Sequence, residues 1–166
     1  DLDTVVAVAR AVAQGLMDGG VLPVMKHMPG HGRAMIDTHL ELPRVTEPPE
    51  TLPRSDFAAF RALADLPLGM TAHIVFSAYD DQPATCSAPM IRVIREDIGF
   101  GGLLMTDDLS MQALSGTIGE RAAAARRAAG GAGGLDGHAI DAGGDGGHRE
   151  QHAGDRRADG HVGRTV

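Results

Sequence analysis

"VLPVMKHMPGHG", residues 21–32, begins as an apolar run and ends as a turn crowded with polar groups, and this transition decides the fold. The first seven residues are short, apolar and bounded by glycines on one side and by Pro29-Gly30-His31-Gly32 on the other, which suits a buried strand of a parallel sheet. Pro23 weakens that reading, because a proline removes one hydrogen bond of a ladder. Before the run, Val5, Val8, Val12 and Leu16 recur at helical spacing between Asp3 and Met17. They predict a helix with these residues as its buried face, stopped by Gly19-Gly20.

Beyond the turn, a proline-rich connector, "LPRVTEPPETLPR", leads to "SDFAAFRALAD". There Ser55 is placed to cap a helix whose apolar face holds Phe57, Phe60, Leu63 and Ala64. The alternation then repeats. "LGMTAHIVF" (68–76) reads as a second strand, and "SAPMIRVIREDIGF" as a helix capped by Ser87 with Ile91, Ile94 and Ile98 inward. "GGLLMTDD" (101–108) reads as a third strand, and "GERAAAARRAA" as a fourth helix carried by its alanines. Helices alternating with buried strands predict an α/β fold with a parallel sheet, either doubly wound or part of a (β/α) barrel. Three strands are too few to close a barrel.

Composition sets the outer limits. The 166 residues suit one domain or a piece of a larger one, and the net charge of -7 leaves no basic stripe with which to neutralise nucleic-acid phosphates. Cys86 is the single cysteine, so neither an internal disulfide nor a thiolate zinc site forms within one chain. No run of about 18 apolar residues is present, so no membrane span is expected. The chain starts without methionine and in mid-helix, which reads as a fragment. From Gly131 onward the last 36 residues contain 11 glycines and four histidines, and only four residues drawn from Leu, Ile and Val. Such a segment buries too little apolar surface to offset its ordering entropy, so residues 131–166 are expected to form a disordered tail distinct from a folded unit over 1–130. Out-of-frame translation of GC-rich coding sequence would produce a tail of this kind.

In parallel α/β folds, ligands bind at the carboxyl ends of the strands. Three groups of reactive side chains fall there: Lys26, His27, His31, Asp37 and His39 after the first strand, His73 near the end of the second, and Asp107-Asp108 at the end of the third. Alternation sends Asp107 and Asp108 to opposite faces, so they are not a two-carboxylate dyad, and either one could cap a following helix. His39 could serve as general acid and base with Asp37 orienting it, although an Asp-x-His on a polar loop is weak evidence by itself. A phosphate cradle at the Pro-Gly-His-Gly turn lacks a following helix N-terminus. A zinc site would use His27, His31, His39 and Asp37, but Pro29-Gly30 forbids the helix on which histidines four apart share a face.

"KHMPGHGRAMIDTHLELP" and "MTDDLSM", in this order and at this spacing, resemble the family 3 glycoside hydrolases, specifically the bacterial β-N-acetylglucosaminidases (β-hexosaminidases) of peptidoglycan recycling. "MTAHIVFSAYDDQPATCSAPMIRVIREDIGFGG" is similar to the segment between those motifs in that family, and the likeness extends over about residues 1 to 129. It implies a TIM-type (β/α) barrel, of which this chain would be a part, and a retaining double displacement. By the same match Asp107 is the nucleophile, His39 the acid/base catalyst on a mobile loop, and Asp37 its partner. Lys26 and His27 match residues that bind hydroxyls of the terminal N-acetylglucosamine.

The resemblance further implies cytoplasmic action on muropeptides or related N-acetylglucosaminides, without cofactor or resident metal, by a monomer when full length. A chain lacking the first and last barrel strands is expected to be inactive by itself. Phosphorolysis is not separated from hydrolysis. The alternatives are a β-glucosidase-like relative, a non-catalytic remnant, or a His-rich metal-binding module.

Overall fold

The computed structural model describes residues 1–36 and 41–131, and every statement below refers to them. The expectations for Asp37, His39 and the glycine-rich tail lie outside the described residues.

The first helix, α1 (Leu2–Asp18), starts at Asp1, whose carboxylate accepts a hydrogen bond from the Thr4 N–H, and stops where predicted. Gly20 adopts φ +79, a left-handed conformation that costs glycine nothing, and the Val21 N–H closes back on the Leu16 carbonyl at 2.9 Å. The buried face, however, is not the predicted one. Val5, Val8 and Val12 are 55%, 59% and 58% exposed, and Val6, Ala9, Ala13 and Met17 pack on the core instead. The helix carries apolar residues on both faces, and the core takes up only one of them.

Strand β1 (Val24–Met28) begins immediately after Pro23, so the proline costs no ladder bond within the strand. A two-residue strand β2 (Arg44–Val45) and a single 3-10 turn (Leu52–Arg54) occupy the connector. Helix α2 (Asp56–Arg61) follows, with Phe57 fully buried. Ser55 stands at its N-cap position, but its hydroxyl donates to the Thr51 carbonyl at 2.9 Å and to Asp56 at 2.7 Å rather than capping the helix.

The predicted second strand is two. Strand β3 (Leu68–Thr71) joins the main sheet, whereas β4 (Val75–Phe76) pairs in parallel with β2 in a separate two-stranded sheet. Between them the chain leaves the main ladder as the His73 ring turns into the interior. Helix α3 (Ala88–Arg92) is capped by Ser87, whose Oγ accepts from the Met90 N–H at 3.2 Å, and continues as a wider π turn through Asp97. Its predicted face is correct: Ile91, Ile94 and Ile98 are all buried. Strand β5 (Leu103–Met105) and helix α4 (Ile118–Gly131) complete the order.

The main sheet runs β1-β3-β5, all parallel, with Met25 opposite Gly69 and Gly69 opposite Leu104. This agrees with the predicted α/β class. Gly69 sits at the centre because nothing larger fits: a Cβ there would lie 2.7 Å from Met28 Sδ and 2.9 Å from the Phe100 ring. No described helix is long and apolar enough to cross a membrane.

Candidate active site

The parallel register gathers the carboxyl ends of the three strands, and with them His27 from β1, His73 from just beyond β3 and Asp107 from just beyond β5. The strands bearing His27 and Asp107 are not neighbours, yet His27 Nε2 lies 3.3 Å from Asp107 Oδ2 across the end of β3. Both side chains are partly sheltered, at 25% and 22% exposure, and both remain reachable from solvent. Burial pushes the His27 imidazole below its ordinary pKa; Asp107 pulls it back, while Lys26, His31 and His73 oppose a further positive charge. His27 is therefore neutral near pH 7, and Asp107 faces a dipole rather than a cation.

Asp107 is oriented through its own backbone. Its Oδ1 accepts from the Asp108 N–H at 2.9 Å, which leaves Oδ2 as the oxygen directed at His27. The Asp108 carboxylate goes elsewhere, accepting from Ser110 N–H and Oγ at 2.8 Å each. That settles the expectation of a helix cap against both residues: the Asp108 carboxylate closes a turn with Ser110, and the next helix begins only at Ile118. Thr106 Oγ1, just before Asp107, is buried and has no hydrogen-bond partner among the described residues.

His73 is 1% exposed and fully engaged. Its Nε2 is 3.0 Å from the Asp108 carbonyl, which can only accept, and its Nδ1 is 2.7 Å from Thr85 Oγ1. Burial lowers its pKa, so it too is neutral.

Lys26 is exposed and borders a groove of about 1000 Å³ between α1, β1 and α2, which His31 also lines. The His31 ring is tilted against that of His27, with centroids 5.4 Å apart. The descending limb of this loop is held by Arg33, whose Nε donates to Asp56 Oδ2 at 2.7 Å and whose terminal nitrogen donates to Glu47 Oε1 at 2.9 Å. Among the described residues no group of three or more His, Cys, Asp or Glu could hold a metal ion.

Three contributors escaped the sequence reading. Thr85 and Arg33 stand in no motif, and Arg121 at the start of α4 donates to the carbonyls of Leu109, Met111, Leu114 and Ser115 in the loop after Asp107. The last of these had a visible companion signal. Thr117 and Glu120 are spaced as a capping box, with Glu120 Oε2 accepting from the Thr117 N–H at 2.8 Å and Thr117 Oγ1 from the Glu120 N–H at 3.3 Å.

Residues 1–135 match the glycosyl hydrolase family 3 N-terminal domain. The chain is 42% identical over 131 residues to a β-hexosaminidase of Alkalilimnicola ehrlichii, covering 76% of this chain and 38% of that protein. It is 38% identical over 136 residues to a β-hexosaminidase of Tolumonas auensis, covering 77% and 40% respectively. Among solved structures it is similar to NagZ from Neisseria gonorrhoeae in complex with N-trifluoroacetyl-D-glucosamine, with 36% identity and a TM-score of 0.66 over 74% of this chain and 37% of the other. The chain thus spans about two fifths of the length of these curated relatives. With this profile over most of its length and an α/β fold of the TIM-barrel-like kind, the chain belongs to glycosyl hydrolase family 3, within that family's N-terminal domain.

Proposed function

We propose that the chain supplies the nucleophile, the acid/base loop and part of the sugar subsite of a retaining β-N-acetylglucosaminidase, on one portion, residues 1–130, of a TIM-type (β/α) barrel. The observation that carries this reading is Asp107 at the end of β5, with one carboxylate oxygen tied back to the chain and the other directed into the cluster at the strand ends. In the proposed reaction Asp107 attacks the anomeric carbon while His39, partnered by Asp37, gives a proton to the departing glycosidic oxygen. His39 then takes a proton from water as that water displaces Asp107, so the released sugar keeps its configuration. A neutral histidine in this role spares the pocket a second negative charge beside the nucleophile. Lys26 and His27 would hold hydroxyls of the sugar.

The substrates proposed are small saccharides with a terminal non-reducing β-N-acetylglucosamine, muropeptides foremost. The setting proposed is cytoplasmic, with a monomer acting without cofactor. The test is a chimera in which residues 1–131 replace the matching segment of the Alkalilimnicola ehrlichii relative. It is expected to release 4-nitrophenol from 4-nitrophenyl N-acetyl-β-D-glucosaminide, and Asp107→Asn is expected to lower kcat by about 10³-fold or more with the circular dichroism spectrum unchanged. Turnover that survives Asp107→Asn would sink the reading. The 166-residue chain alone is expected to be inactive, because three parallel strands do not enclose a barrel; turnover by the purified chain would contradict this.

A further inference from the structure

Asp107 is aimed by the peptide unit that follows it, and that peptide is itself held from the interior. The Asp108 N–H donates to Asp107 Oδ1 at 2.9 Å, and the Asp108 carbonyl lies 3.0 Å from His73 Nε2. His73 in turn meets Thr85 Oγ1 at 2.7 Å, and Thr85 Oγ1 lies 2.9 Å from Thr71 Oγ1 at the end of β3. We propose that His73 is a positioning residue for the nucleophile, acting as a buried neutral Nε2–H tautomer that fixes the Asp108 peptide and so directs Asp107 Oδ2 at the sugar.

The proton count supports one arrangement. A carbonyl only accepts, so Nε2 carries the hydrogen and Nδ1 of a neutral ring is a bare acceptor; the single Thr85 hydroxyl proton, which the Ala72 carbonyl at 3.1 Å could also take, goes to Nδ1 at 2.7 Å. The Thr71 hydroxyl completes the line by donating to Thr85. The three side chains of the line are buried, with Thr71 at 2%, Thr85 at 1% and His73 at 1% exposure, so no solvent competes for the bonds among them. Burial also keeps the ring neutral, the state the line requires. The ring spans the gap between β3 and the loop after β5, where no ladder bond reaches.

The inference rests on the nucleophile reading of Asp107, and two amides separate it from mere packing. In the active chimera, His73→Gln keeps a nitrogen donor at the reach of Nε2, whereas His73→Asn keeps one only at the reach of Nδ1. His73→Asn is expected to lower kcat about 10- to 100-fold with KM within about twofold, and His73→Gln to restore most of the loss. Equal kcat for the two amides, or a loss confined to KM, overturns the proposal. A second measurement needs no variant: ring nitrogen chemical shifts of the ¹⁵N-histidine-labelled chain are expected to show His73 as the Nε2–H tautomer at pH 7, and the Nδ1–H tautomer or an imidazolium overturns it. If Asp107→Asn also leaves turnover intact, the reading of the reaction fails; if only the histidine variants behave like the parent, this inference alone fails.

Discussion

Along the flank of the sheet built by α3 and its π turn, Met90, Ile94, Ile98 and Phe100 are sealed from water, whereas along α1 an equally apolar row, Val5, Val8 and Val12, stands more than half exposed. Both rows are apolar, and Met90, Ile94 and Ile98 recur at helical spacing as Val5, Val8 and Val12 do. They differ in what lies opposite: the first belongs to the buried core cluster, and Val5 and Val12 of the second border the groove beside β1, which pairs only with β3 among the described residues. Apolar periodicity therefore states that a face is to be covered, and the fold states whether the described residues cover it.

The sharpest way to test this contrast is to remove volume from the sealed interior. Phe57→Ala deletes a fully buried ring in contact distance of Phe76 and Tyr79, and should cost about 3–5 kcal/mol in urea unfolding. Adding volume should cost less: Gly69→Ala drives a methyl into Met28 and Phe100, with an expected loss of about 1–3 kcal/mol by the same measurement.

A third effect is smaller over any narrow range of pH. His73 has a folded pKa below 6.5, so below that pH the unfolded chain binds a proton that the folded chain refuses. Its stabilising contribution is complete above about pH 6.5 and falls as the pH drops toward the lowered folded value, by up to about 1.4 kcal/mol per unit. Unfolding midpoints at pH 7 and 5.5 should diverge more in the parent than in His73→Gln; identical divergence would show that His73 is not the group responsible. The smallest effect belongs to the open flank. Val8→Lys is expected to change stability by less than about 0.5 kcal/mol, and a larger loss would mean that the row is covered in solution.

How much of this was legible depends on how local the cause is. The stop of α1 at Gly19-Gly20, the Ser87 cap and the end of a strand beside Asp107 follow from single residues and short patterns, and the folded chain has all three. The division of 68–76 into β3 and β4 does not, because the partners lie far along the chain: Val75 and Phe76 pair with Arg44 and Val45, and His73 meets Thr85 and the Asp108 carbonyl 12 and 35 residues away. Strand β2 escaped because two residues carry no period, and a proline-rich connector reads as a loop. The exposed row of α1 was misassigned because both faces of that helix are apolar, and the pattern alone could not rank them.

At the candidate site, residue types and strand ends were sufficient to nominate His27 and Asp107, which the fold brings within 3.3 Å of each other. Lys26 lies beside them on the exposed edge of β1, and its role as a sugar ligand rests on the proposal above. The backbone bond that selects which oxygen of Asp107 faces outward has no signature in the order of residues.

Arg121 gives the loop after Asp107 a different kind of security from the histidine before it. Its guanidinium gathers carbonyls of Leu109, Met111, Leu114 and Ser115, whereas His73 holds the Asp108 carbonyl alone. The loop is thus fastened at both ends through its backbone carbonyls, by a buried neutral ring at one end and by a fan of guanidinium donors at the other. Because both holds fall on the main chain, they do not depend on which side chains the loop carries.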